Sequence, residues 1–149
     1  AEPIREDDTA TVLTPRLADL GADLLLATLP GYLDGSIKPV EQDHEKATFV
    51  KLLSREDGKL DPRKPAAELE RLVRAMDPWP GTYLEYGDKR LKVLKAALGP
   101  ETNREVGALF FDGALRYACA NGSSLTLLTV QPEGKKPMEG AAFARGMKV

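Results

Sequence analysis

At 149 residues, 42% of them hydrophobic and 30% charged, the chain has the size of one ordinary domain with an appended segment, and enough apolar content for a core. The lone cysteine, Cys119, excludes an internal disulfide and suits a reducing compartment, and no apolar run approaches the roughly 18 residues of a membrane span. The formal charge of -2 conceals an asymmetry: residues 1–58 hold 6 Lys/Arg against 12 Asp/Glu, and residues 59–149 hold 15 against 11, a mild positive excess that suggests different partners for the two parts.

The acidic start, Ala1-Glu2-Pro3-Ile4-Arg5-Glu6-Asp7-Asp8, has neither the basic head nor the apolar middle of a secretory signal, and no initiating methionine. A cytoplasmic protein, represented by a processed or excised piece, is the expectation. Leu17, Leu20 and Leu24 then line one face of a helix. Thr14-Pro15 reads as an N-cap with proline at the first helical position, whereas a start near Asp8-Thr9 would place Pro15 inside and kink the helix. Gly21 is a candidate break, and Leu33-Asp34-Gly35 a stop. Nothing in the acidic part offers this helix a partner. Residues 36–64 read as a polar, proline-punctuated linker with one short turn at Ser54-Arg55-Glu56-Asp57-Gly58.

The clearest helix runs from Pro65 to Met76, with Ala66, Leu69, Leu72, Val73 and Met76 at helical spacing. Asp77-Pro78-Trp79-Pro80-Gly81 ends it. Beyond Gly81 the pattern is β: Thr82 to Tyr86, a two-residue turn at Gly87-Asp88, then Arg90 to Ala97, Val106 to Phe111, Leu115 to Cys119 and Leu125 to Val130. Gly113 and Asn121-Gly122 mark bends. A short helix is expected around Met138 to Arg145. The fold expected is mainly β with helices: a small barrel preceded by a helix, and a separate helical segment at the acidic end.

Four segments, in order, resemble the methionyl-tRNA formyltransferases. Gln42-Asp43-His44-Glu45-Lys46-Ala47-Thr48-Phe49 is similar to that family's interdomain linker, and Ser54-Arg55-Glu56-Asp57-Gly58-Lys59-Leu60-Asp61 to the linker's end. Arg71-Leu72-Val73-Arg74-Ala75-Met76-Asp77-Pro78-Trp79-Pro80-Gly81 resembles its Arg-Ala-Phe-Asn-Pro-Trp-Pro-Gly signature. Leu127-Leu128-Thr129-Val130-Gln131-Pro132-Glu133-Gly134-Lys135-Lys136-Pro137-Met138 resembles its closing segment. Asp77 in place of asparagine, Pro62 in place of tryptophan and Pro15 within a helix depart from the pattern and leave local geometry open.

The resemblance implies an oligonucleotide-binding-like barrel over 62–149 that holds initiator methionyl-tRNA, a linker over 41–61, and over 1–40 the last helices of an α/β catalytic domain. It implies a monomer when full length, no membrane and no metal. The formyl donor would be 10-formyltetrahydrofolate for the full-length enzyme, with no cofactor in this chain. The family's catalytic Asn, His and Asp find no match here, and His44 does not match the catalytic histidine, so the chain alone is expected to bind and not to catalyse. A related sugar-nucleotide or formyltetrahydrofolate-processing enzyme, or a protein-interaction module, remains an alternative reading.

Candidate RNA-binding cations are Lys51, Arg55 and Lys59 on the linker, Arg71 and Arg74 on the helix, Lys89, Arg90, Lys92 and Lys95 on the first hairpin, and Lys135 and Lys136 in a glycine-flanked loop. On a regular strand Lys89 and Lys95 share one face and Arg90 and Lys92 the other, so all four meet one phosphate track only if the strand twists or bulges. Lysines on a solvated edge strand also discourage unwanted pairing. Arg71 and Arg74 lie off the apolar stripe, within reach of phosphate or of Glu70 and Asp77. Trp79, between two prolines, reads as a rigid corner that packs the helix onto the barrel in preference to a base-stacking platform. Cys119 reads as a small buried residue, and His44 as solvated.

Overall fold

A computed structural model describes residues 1–146; the last three positions of the domain expected over 62–149 lie outside the described residues. Two compact units divide the chain, Ala1–Leu53 and Ser54–Val149.

In the first unit, α1 spans Ala10–Leu33 without interruption. Its cap is Thr9, whose Oγ1 accepts from the Val12 N–H at 3.3 Å, and the Thr14 hydroxyl instead turns back to the Ala10 carbonyl at 2.7 Å. Pro15 and Pro30 therefore both lie inside the helix, and Gly21 does not divide it. The earlier start is fixed from outside the helix. The Arg16 guanidinium grips both Asp8 oxygens at 2.8 and 2.6 Å, meets Glu2 at 2.8 Å and donates to the Pro3 carbonyl at 3.1 Å, so residues 2–8 are tied to the second helical turn. No residue of α1 is buried, and Leu17, Leu20, Leu24, Leu25, Leu26 and Leu29 are all exposed. A short 3-10 turn at His44–Lys46 follows, capped by Asp43. Beyond it Phe49, Val50 and Leu52 stand more than 90% exposed (93%, 95% and 95%).

The second unit opens with a 3-10 turn, Arg55–Gly58, closed by Ser54, whose N–H and hydroxyl both donate to Asp57 Oδ2 at 2.8 and 2.7 Å. Gly58 is needed here: a Cβ on it would sit 2.0 Å from the Gly81 carbonyl oxygen. The close approach lets Lys59 form a parallel bridge with Tyr83, and the Leu60 N–H donates to the Tyr83 carbonyl at 2.8 Å. Leu60 enters the core at 1% exposure.

Helix α2, Ala66–Ala75, buries Ala66, Leu69 and Val73 on one face and packs on the sheet. Six strands follow: β1 (Thr82–Tyr86), β2 (Lys89–Leu98), β3 (Leu109–Phe111), β4 (Leu115–Ala118), β5 (Ser124–Pro132) and β6 (Met138–Glu139). They form one antiparallel sheet in the order β1-β2-β5-β4-β3, with β6 added on β5. The sheet curls as the wall of a half-barrel. Among the described residues no ladder joins β1 to β3, and the outer edge of β1 is instead met by the Lys59 bridge. The β1–β2 hairpin turns on Gly87 (φ 54°) and Asp88, as the sequence predicts. Helix α3 covers Gly140–Gly146, two residues later than expected, because Met138 and Glu139 are taken up in pairing with Val130 and Thr129.

The core lies between α2, α3 and the inner face of the sheet, with Leu69, Leu84, Leu91, Val93, Leu115, Leu125, Leu127 and Val130 at 0–2% exposure. Each such side chain contributes about 1.5–3 kcal/mol of burial. The strands' alternation turns Arg90 and Lys92 away from this core.

Candidate nucleic-acid interface

Strand β2 supplies the densest run of cations. Leu91 and Val93 point into the core, so Arg90 and Lys92 stand on the outer face. Register shifts interrupt the β2–β5 ladder between Val93 and Lys95 and again between Lys95 and Ala96. The first makes Leu94 and Lys95 together oppose Thr129, a bulge. Core packing resumes at Ala96, and Lys95 is left exposed with Leu94. The condition under which Lys95 can escape strict alternation is thus met in the fold, and the sequence contains no signal for it.

Two grooves adjoin this face. One, of about 530 Å³, is lined by Arg55, Trp79, Tyr83, Arg90, Lys92 and the Gln131–Gly134 turn, among others. The second is lined by Tyr86, Lys89, Lys135, Met138 and Phe143. Pro132 and Glu133 belong to both linings and form a common wall. Tyr86 and Phe143 meet edge to face in the second, with centroids 5.5 Å apart.

The expected cations do not all have the same freedom. Lys59 is held by Glu85 at 2.6 Å; hydrogen bonding to that carboxylate raises the Lys59 pKa and lowers that of Glu85. Arg74 is bound by Glu70 at 2.8 Å, the intrahelical partner expected from spacing. Arg90 lies over the Tyr83 ring, 4.7 Å from its centroid, and 3.7 Å from Glu56. The Tyr83 hydroxyl donates to Glu56 at 2.8 Å; burial and that hydrogen bond push its pKa up. Among the described residues Arg55, Arg71, Lys89, Lys92, Lys95, Lys135 and Lys136 are exposed and free of ion pairs. Lys51 is exposed and lies in the first unit, apart from the others in the division of the chain.

Trp79 differs from its sequence expectation. It is 56% exposed and lines the first groove; it does not bury itself between helix and sheet. The corner is closed by backbone instead, with the Gly81 N–H donating to the Met76 carbonyl at 2.9 Å. Cys119, by contrast, is buried as expected, at 1% exposure. Among the described residues no cluster of three His, Cys, Asp or Glu could hold a metal, and no helix is long and apolar enough to cross a membrane.

The sequence profile described as formyl transferase, C-terminal domain, matches residues 52–148. Over 150 aligned residues the chain is 43% identical to a methionyl-tRNA formyltransferase of Roseiflexus castenholzii, covering 99% of this chain and 48% of that protein. It is also 43% identical over 148 residues to one of Myxococcus xanthus, covering 98% of this chain and 47% of that protein. The chain spans about half the length of the curated relatives it matches. Among solved structures, a variant of HypX from Aquifex aeolicus superposes with a TM-score of 0.64 at 17% identity, covering 95% of this chain and 26% of that one. HypX in complex with tetrahydrofolic acid gives 0.57 at 17%, covering 81% and 22%. At these identities the structural likeness establishes the fold.

Proposed function

Because the chain belongs to the formyl transferase C-terminal domain family, we propose that it is the RNA-gripping part of a methionyl-tRNA formyltransferase. In this reading the whole enzyme moves a formyl group from 10-formyltetrahydrofolate to the amino group of initiator methionyl-tRNA in the cytoplasm. Residues 62–149 hold the tRNA, 41–61 form the linker, and 1–40 belong with the catalytic domain; none of the 149 residues is given a catalytic role. The relatives' printed name and their 43% identity support this assignment over a sugar-nucleotide enzyme.

The observation that carries the reading is the pair of cationic grooves with a common wall at Pro132 and Glu133. Lys89, Lys92, Lys95, Lys135 and Lys136 offer ammonium groups unengaged by carboxylates, which suits contact with phosphate oxygens and carries no base information. Arg55 and Arg71 extend the surface, with Lys51 a further contact on the preceding segment. Arg90, Lys59 and Arg74 contribute field more than contacts, since each is held by a carboxylate.

Binding of the chain to initiator methionyl-tRNA across a salt series tests the proposal, with elongator tRNA and a sugar nucleotide as controls. Four to six phosphate contacts would give log K against log salt a slope of about -3 to -5. Similar, salt-sensitive affinity for both tRNAs supports a backbone grip whose selectivity resides elsewhere. No tRNA binding at low salt by folded protein refutes it.

A further inference from the structure

The first groove contains more than a phosphate track requires. Its lining includes Trp79, the chain's single tryptophan, exposed at 56%, and phosphate contact gives no reason for a large aromatic surface to face water there. The backbone that carries the ring is held in place. Pro78 and Pro80 restrict the backbone on both sides, and the Met76–Gly81 hydrogen bond at 2.9 Å closes the corner beneath it. Its indole N–H meets no acceptor among the described residues. Around the ring stand three cations, Arg55, Arg90 and Lys92, against one carboxylate, Glu133. Arg90 is spent on the Tyr83 face, which leaves Arg55 and Lys92 with open donors on the lining.

An exposed aromatic plane flanked by free cations is the chemistry that accepts a nucleobase together with its neighbouring phosphates. The interior of a duplex cannot use it, because each paired base there is already stacked on both faces. We propose that the Trp79 groove takes one unpaired nucleotide of a bound RNA, its base laid on the indole and its flanking phosphates met by Lys92 and Arg55. The proposal rests on the RNA-binding reading above and adds to it a site that distinguishes unpaired from paired RNA. Stacking uses the face that every base has, so the site tolerates any base.

Intrinsic fluorescence of the full chain reads the site directly, since all of the tryptophan signal comes from Trp79. A short single-stranded RNA and a blunt RNA hairpin with a minimal loop are titrated in low salt. The expected result is saturable quenching by the single strand and little by the hairpin. Affinity measured separately by anisotropy of labelled RNA then compares variants: Trp79→Leu should lose roughly 10- to 100-fold for the single strand and less than two-fold for the hairpin, and Trp79→Phe should retain most of the binding. Lys92→Ala should weaken both RNAs. Hairpin binding that persists while the single strand neither quenches nor responds to Trp79→Leu overturns the stacking site and leaves the phosphate grip standing. Binding of neither RNA by folded chain overturns both.

Discussion

The contact between Gly58 and Gly81 gives the sharpest test of how the second unit is held together. Replacing Gly58 with alanine puts a methyl carbon 2.0 Å from the Gly81 carbonyl oxygen and 3.1 Å from its carbon, both backbone atoms that no rotamer change can move. The turn must lift from β1. Overpacking of this kind costs about 1–3 kcal/mol. Lifting also strains the Leu60 N–H bond to Tyr83, worth about 1 kcal/mol, and draws Leu60 partly out of the core for about 1–2 more. The total is about 3–6 kcal/mol, against a stability of roughly 5–15 for a domain. In a unit of this size that lowers Tm by about 12 °C or more, measured by circular dichroism of the β signal. Gly87→Ala is the control: it has open space around its Cβ and bears only the cost of φ 54°, about 1–2 kcal/mol. If Gly58→Ala melts no lower than Gly87→Ala, the seam does not constrain the unit.

Asp8 is held near a pKa of about 2, first by the Arg16 side chain and then by the Arg5 backbone N–H. Because the folded value is depressed, the tie between residues 2–8 and α1 is fully present above the unfolded value near 3.8 and lost as pH falls through about 2. Carboxyl NMR titration should show this midpoint, and Arg16→Ala should move it up toward the ordinary range. Burial pushes the Cys119 thiol up to about 11, so at pH 8 roughly one thiol in a thousand is ionised; a disulfide reagent should react only after unfolding, and fast native labelling would contradict the buried site. Lys92→Ala should reduce the salt slope of tRNA binding by about 0.9, while Arg74→Ala, already held by Glu70, should leave affinity within about two-fold. Equal losses from the two would remove the distinction between free and engaged cations.

The elements whose residues satisfy their own local needs were legible in the sequence. Helix α2 shows its apolar stripe, and Gly87-Asp88 and Asn121-Gly122 supply the positive φ their turns use (54° at Gly87, 58° and 67° at the second pair). What escaped depends on partners distant in sequence. The start of α1 is set by Arg16 reaching back to Asp8 and Glu2, which outweighs the local signal of Thr14-Pro15. Met138 and Glu139 pair with β5 before the helical pattern can take hold. The bulge at Lys95 is a mismatch between two strands and has no mark on either. Trp79 misled for a different reason: aromatic residues usually bury, but here glycine and backbone close the corner and the ring is left outside. Among the candidate cations, the approach of Glu85 to Lys59 and of Glu56 to Arg90 leaves no local mark, because those contacts cross from the turn to the hairpin.

The stretch between the His44–Lys46 turn and Ser54 also has a practical consequence. Its backbone forms no helix or strand, and Phe49 and Leu52 stand at 93% and 95% exposure. A protease that cuts after large apolar residues needs such an extended, solvent-open peptide in its cleft. Digestion with chymotrypsin should therefore sever the chain between 49 and 53 well before it attacks the sheet. The surviving product would begin close to the Ser54 cap and retain Leu60, the Gly58–Gly81 seam and the whole curled sheet. A limited digest would thus prepare the second unit from the chain, with a boundary chosen by the fold.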